Sequence, residues 1–174
     1  MHLSIPNSML SFFTKQRLLI FCGIVLGGIL LGLWRPYTPI PVPELNIKSL
    51  SGATIELSAL RGKPLLINFW ATDCAACIRE IPHLTELYQN FHPKGLEIIG
   101  ISMYYDIPSH VVEMTRMKQL PYQIALDLKG EYANAFGRVQ LTPSTFLISK
   151  DGIILAKFIG ALPKDLATQI EQLL

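Results

Sequence analysis

Cys74 and Cys77, in the run Cys74-Ala75-Ala76-Cys77, directly follow the apolar stretch Leu65-Leu66-Ile67-Asn68-Phe69-Trp70. Two thiols so spaced, where a buried strand hands over to a helix, suit reversible dithiol–disulfide chemistry. Unpaired backbone N–H groups and the macrodipole at a helix N-terminus stabilise a thiolate, so the first cysteine is nucleophilic near neutral pH. The second waits one turn on. Cys74 is therefore the expected attacking thiol and Cys77 the resolving one. A structural zinc site fits poorly, because it takes four ligands and the only other cysteine, Cys22, lies far away in an apolar segment. A purely structural disulfide also fits poorly, since so short a loop constrains little of the unfolded chain.

The rest of the chain must hold that pair and place it in a compartment. Its 174 residues allow one ordinary domain plus an appendage, and 50% of them are apolar, with the excess concentrated near the N-terminus. Between Arg17 and Arg35 every residue, Leu18 to Trp34, is apolar, glycine or cysteine, a stretch at the short end of a bilayer span. Lys15 and Arg17 precede it and Arg35 follows, which favours an N-terminus in the cytoplasm and the remainder outside. No small-x-small cleavage site follows the apolar core, so the segment reads as an uncleaved anchor rather than a signal peptide. Cys22, behind the bulky Phe21 and early in the run, reads as a small buried apolar residue rather than a lipidation site.

The expected organisation is a cytoplasmic segment over 1–17, a transmembrane helix over 18–34, a proline-rich linker over 35–43 and one domain over 44–174. The linker's four prolines, Pro36, Pro39, Pro41 and Pro43, favour an extended, semi-rigid spacer. Residues 1–35 carry three basic residues and no acid, which leaves 12 basic and 13 acidic residues, a net charge of −1, for the remainder. No cluster of lysine and arginine there can neutralise several phosphates together, so nucleic acid is not an expected partner.

Within the domain, Leu45–Leu50 and Ala53–Leu57 read as a hairpin around Ser51-Gly52, and Ser58–Gly62 as a short turn or helix. Leu65–Trp70 reads as a strand in a sheet covered on both faces. Ile78, Ile81, Leu84, Leu87 and Tyr88 recur at helical spacing between Cys74 and about Asn90. Leu96–Met103 reads as a second buried strand. A helix follows from Pro108 to about Gln119, with Ser109 or Asp106 as its expected cap. A short strand near Ile124 and a short helix over Tyr132–Phe136 come next. The strands Thr145–Ser149 and Ile153–Ile159 flank the turn signal Lys150-Asp151-Gly152, and Pro163 is expected to start the last helix. An early βαβ unit followed by a β-hairpin and a helix makes an α/β sandwich with a mixed sheet.

The segment Asn68-Phe69-Trp70-Ala71-Thr72-Asp73-Cys74-Ala75-Ala76-Cys77-Ile78-Arg79-Glu80-Ile81-Pro82, with Leu141-Thr142-Pro143-Ser144-Thr145-Phe146-Leu147-Ile148 farther on, resembles the thioredoxin fold. It is most similar to the membrane-anchored thiol–disulfide oxidoreductases of the TlpA/ResA type, over residues 44–174. The resemblance implies a thioredoxin-like sandwich with a central mixed sheet, an N-terminal β-hairpin extension and one preceding transmembrane helix.

It also implies roles for individual residues. Pro143 matches the family's cis-proline, whose turn lets backbone groups near Thr142 pair with an incoming peptide. Pro82 falls where the family kinks its active-site helix. Trp70 is expected to pack beside the dithiol and to contribute to substrate binding. Thioredoxin carries a buried aspartate where this chain has Asn68, which cannot titrate, so the proton acceptor for Cys77 is sought elsewhere. Glu80, one turn after Cys77, matches an acidic residue near the dithiol in the TlpA/ResA subgroup; a partly buried carboxylate there carries a raised pKa. One position departs from the family pattern. Asp73 stands where tryptophan is usual, so the docking surface loses an aromatic contact, and the carboxylate either raises the Cys74 pKa or caps the following helix.

The implied activity is reduction of specific client disulfides, such as apocytochrome or copper-site cysteines. The dithiol itself is the redox group, with no separate cofactor, and a membrane thiol donor supplies electrons on the extracytoplasmic, periplasmic side of a bacterial inner membrane. An oxidase or isomerase role is the alternative. A copper module of the Sco type would need wider cysteine spacing and a third ligand, and a peroxiredoxin would need threonine one step farther from the cysteine than Thr72. His83, six residues after Cys77, reads as a surface or packing histidine. His92 and His110 show no ligand spacing, and Met103, Met114 and Met117 read as core fillers.

Overall fold

The computed structural model describes residues 38–174. The expected cytoplasmic segment and transmembrane helix lie outside the described residues, and among those described no helix is long and apolar enough to cross a membrane. Strands β1 (Ile40–Pro41), β4 (Leu65–Trp70), β5 (Glu97–Ser102), β6 (Gln123–Leu126), β7 (Ser144–Ile148) and β8 (Ile153–Ile159) form one mixed sheet. Their order is β1-β8-β7-β4-β5-β6. β4–β5 and β5–β6 run parallel, and the other pairs antiparallel. The expected hairpin is β2 (Asn46–Lys48) with β3 (Thr54–Glu56), a separate two-stranded sheet.

β4 is buried at every position because helices and loops cover both sides of the central sheet. Its alternate side chains divide the core. Ile67 and Phe69 join Phe136 and Phe146 on one face, under the hairpin and helix α3 (Glu131–Ala135). Leu66 and Trp70 join Leu84 and Leu87 of helix α1 (Ala75–Phe91), Val111 of α2 (Pro108–Met117) and Leu166 of α4 (Leu166–Glu171) on the other. Gly100, on this second face, leaves room for its neighbours: a Cβ there would sit 2.8 Å from Ile124 Cδ1 and 3.3 Å from Trp70 Nε1.

Several expectations change. The linker expected over 35–43 ends early: Ile40 and Pro41 pair with Ile154 and Ile153 as an edge strand, and Val42 is buried. An edge strand tolerates proline because its outer N–H side has no partner to lose. The last helix begins at Leu166, not Pro163. α2 starts at Pro108 as expected, but neither Ser109 nor Asp106 caps it: the capping position is Ile107, with no side-chain bond. Met103 is in the core, whereas Met117 is 60% exposed.

Candidate active site

Cys74 and Cys77 form a disulfide with Cα atoms 5.2 Å apart. Cys74 occupies the capping position of α1, where its Sγ accepts the Cys77 backbone N–H at 3.1 Å. The site thus offers the sulfur a helix N-terminal donor, as the placement of the motif predicts. Asp73 is exposed and does not cap the helix, because Cys74 itself takes that position. Cys77 is buried beside Trp70 and Leu84, while Cys74 is half-buried and open to an incoming partner.

The Thr142–Pro143 peptide is cis. Pro143 and Glu80 line one cleft of about 230 Å³, together with Ala76, Arg79, His83 and Leu162. His83, expected as a surface or packing residue, lines this cleft. Pro82 lies inside α1, where the resemblance implies a kink.

Glu80 is buried, 8% exposed, on the α1 face of the sheet. Its Oε1 accepts the Leu162 backbone N–H at 3.0 Å, and its Oε2 accepts Asn68 Nδ2 at 3.4 Å. Asn68 Nδ2 also donates to Thr145 Oγ1 at 2.9 Å, so β4, β7, α1 and the segment after β8 meet in one buried polar contact. Loss of water holds the Glu80 carboxyl above the ordinary carboxylate range; the donors from Leu162 and Asn68 pull it partly back. Tyr122, buried on the same face, is pushed up by burial and by the charge of Glu80. A carboxylate so poised near a resolving thiol can accept its proton.

Trp70 is only 3% exposed, and its indole N–H has no hydrogen-bond partner among the described residues. The expected contact with substrate is corrected by this burial: Trp70 packs beside Cys77 and presents no surface to a client. Thr142 is half-buried, and its Oγ1 lies 3.5 Å from the Tyr105 hydroxyl. Tyr105 and its neighbour Tyr104 are exposed on the loop after β5. That loop also supplies Asp106, whose carboxylate takes the Thr72 backbone N–H at 2.7 Å and the Thr72 hydroxyl at 2.5 Å. Motif reading missed the loop because its residues have no fixed spacing from either cysteine. Leu162 was missed because it contributes only a backbone N–H.

His92 binds the Leu96 carbonyl and stacks on Tyr88, and His110 is exposed on α2. Among the described residues no cluster of histidine, cysteine and carboxylate side chains is arranged to hold a metal ion.

A disulfide-forming pair at the head of the first long helix, with a cis-proline leading into the strand next to β4 in a mixed sheet, defines a thioredoxin-like oxidoreductase. The chain belongs to the AhpC/TSA family, whose sequence profile matches residues 40–157. It is 32% identical over 161 residues to the thiol-disulfide oxidoreductase ResA of Bacillus thuringiensis subsp. konkukian, covering 90% of each chain. It is 33% identical over 132 residues to ResA of Bacillus cereus, covering 76% of this chain and 73% of that one. Among solved structures, a putative thioredoxin from Neisseria meningitidis superposes with a TM-score of 0.72 at 26% identity, covering 76% of this chain and 89% of that one. A thioredoxin-family thiol:disulfide interchange protein from Chlorobium tepidum shares the fold, with a TM-score of 0.73 at 22% identity over 80% of this chain and 99% of that one. The chain is accordingly a thiol–disulfide oxidoreductase.

Proposed function

We propose that the protein is a membrane-tethered, extracytoplasmic reductant of specific client disulfides. The observation that carries the reading is the Cys74–Cys77 disulfide at the head of α1, with the buried Glu80 carboxyl one turn on. In the reduced enzyme the Cys74 thiolate attacks one sulfur of a client disulfide, forming a mixed disulfide and releasing one client thiolate. Glu80 takes the proton of the Cys77 thiol. The Cys77 thiolate then attacks Cys74 Sγ, the mixed disulfide breaks, and the second client thiolate leaves. Two electrons have passed to the client, and the enzyme is left with the Cys74–Cys77 disulfide. A donor dithiol restores the reduced form by the same exchange in reverse, so no separate cofactor enters the cycle.

Cis-Pro143 lines a cleft with Ala76 of the cysteine motif, and an extended client segment is proposed to pair there with backbone groups near Thr142. The resemblance to TlpA/ResA-type enzymes supports clients such as apocytochrome or copper-site cysteines and a thiol donor in the membrane. The apolar segment 18–34, with Lys15 and Arg17 before it, supports the tether and the extracytoplasmic side. The test is to replace Cys77 with serine, trap mixed disulfides on Cys74 in cells and identify the proteins attached. Recovery of a small set of exported dithiol proteins is expected, with the parent dithiol mainly reduced in the cell. A dithiol held mainly oxidised there, with reduced exported proteins as its trapped partners, would instead establish the oxidase reading.

A further inference from the structure

The two chains that leave the sheet beside the dithiol part company immediately. The last backbone bond joining them runs from Met103 N–H to the Trp70 carbonyl, at 3.0 Å. Beyond it one chain turns through Ala71–Cys74 into α1, closed by the Cys74 N–H on the Ala71 carbonyl at 3.2 Å. The other forms the loop from Met103 to Ile107 that leads into α2. One carboxylate ties them together again. Asp106 Oδ2 accepts the Thr72 N–H, and Oδ1 accepts both the Thr72 hydroxyl and the Ile107 N–H, the latter at 2.9 Å. Thr72 lies in the middle of the turn that delivers Cys74 to the helix N-terminus.

We infer that Asp106 is a positioning residue for the nucleophile: by gripping Thr72 it holds the Ala71–Cys74 turn so that the Cys74 sulfur meets the N–H donors at the head of α1. This rests on the reading that Cys74 is the attacking thiolate. Charge-assisted hydrogen bonds to a carboxylate are short and about twice as strong as neutral ones, so two of them to one residue fix a loop firmly. A turn of four residues has few other restraints once it has left the sheet ladder. A cysteine displaced from a helix N-terminus loses the donors that favour its thiolate, and nucleophilic attack depends on that form. The same loop also carries Tyr105 to within 3.5 Å of Thr142, so Asp106 fixes the dithiol turn relative to the wall that faces the cis-proline.

The geometry of Asp106 can be separated from its charge by substitution. In Asp106→Asn the amide oxygen still accepts the Thr72 N–H, and the amide nitrogen can donate to Thr72 Oγ1, because a hydroxyl can reverse its role; only the Ile107 N–H, on the α2 side, loses its acceptor. The tie persists while the charge is gone. Asp106→Ala removes both, and Thr72→Val removes the hydroxyl half while keeping the side-chain shape. Asp73, Arg79 and Glu80, the other charged groups of the turn and of the first turns of α1, stay in place in all three variants.

The experiment is the rate of iodoacetamide alkylation of Cys74 as a function of pH, on the reduced full-length protein in detergent micelles. Cys77 is buried and reacts slowly. Asp106→Ala should lower the rate at neutral pH about tenfold, with the midpoint of the profile displaced upward by about one unit. Thr72→Val should move both quantities the same way by less, and the double variant should be no worse than Asp106→Ala alone. Asp106→Asn should stay within about threefold of the parent, less than the loss of one hydrogen bond. The inference is overturned if Asp106→Ala or Thr72→Val melts lower yet keeps the parent profile, which is what a merely structural role produces. It is also overturned if Asp106→Asn behaves like Asp106→Ala, which would make charge the agent. If Asp106→Ala fails to fold, Thr72→Val and Asp106→Asn decide the matter alone. A parent protein whose Cys74 shows no enhanced reactivity at all would instead defeat the proposed function.

Discussion

The two faces of the central sheet are built for different work. Under the hairpin and α3 the core is mainly apolar, its buried Ser144 and Asp127 being bonded to backbone groups: Phe69 packs edge-on against Phe136 and Phe146, with ring centroids 5.5 and 5.9 Å away. Under α1 the core is interrupted by Asn68, Thr145 and Glu80, all buried. Apolar burial contributes about 1.5–3 kcal/mol for a full side chain, whereas a buried carboxyl costs free energy that its few hydrogen bonds only partly return. The first face carries stability. The second gives up some of it to keep Glu80, the proposed proton acceptor, one turn from Cys77.

Variants can break this contrast from either side. The largest effect is expected from Cys77→Ser: turnover is lost and mixed disulfides accumulate on Cys74, whereas reduced parent and variant unfold at similar denaturant concentrations. A large fall in the stability of the reduced variant would show that Cys77 carries packing that the contrast assigns to the other face. Next is Phe69→Ala, which should destabilise by about 3–5 kcal/mol in chemical denaturation while the folded fraction keeps its rate of disulfide exchange. Asn68→Ala comes third. It strands Thr145 and withdraws a donor from Glu80, costing about 1–3 kcal/mol and moving the titration of Glu80 further upward, as carboxyl-group NMR would record.

The smallest effect concerns Glu80 and stability. The unfolded chain releases this proton near 4.5, whereas the folded protein releases it at higher pH because burial disfavours the charge. The contribution is therefore most favourable below 4.5 and is lost as pH rises through the folded value. In Glu80→Gln this decline should flatten, read as urea midpoints across the mildly acidic range; an unchanged slope would mean that Glu80 is not held above its ordinary range.

How far the chain's residues announce this arrangement depends on what kind of signal each leaves. The apolar run Leu65–Trp70 is the observed β4, because a strand covered on both faces needs no polar side. The helical spacing from Ile78 to Tyr88 falls within α1, and the hairpin around Ser51-Gly52 is present with Ile47 opposite Ile55. Pro143 and Glu80, found through resemblance, do share one cleft.

The rest depends on tertiary partners that leave no local pattern. Ile40 and Pro41 sit in a proline-rich run that reads as a spacer until β8 offers them an edge. Asp106 reads as a helix cap, but its carboxylate turns toward Thr72, 34 positions away in the chain. Trp70 next to the motif suggests contact with a client. Only the packing of Gly100 and Ile124 around its indole reveals that it is enclosed.

The central claim is that Glu80 takes the proton from Cys77. It is tested most directly by forming a mixed disulfide between Cys74 and a short cysteine peptide and following its intramolecular resolution by stopped flow across pH. In the parent the rate should fall on acidification along a limb centred above the ordinary carboxylate value of 4.5. In Glu80→Gln that limb should vanish and resolution should slow about 10²-fold. Equal rates and identical pH profiles in the two proteins would contradict the account.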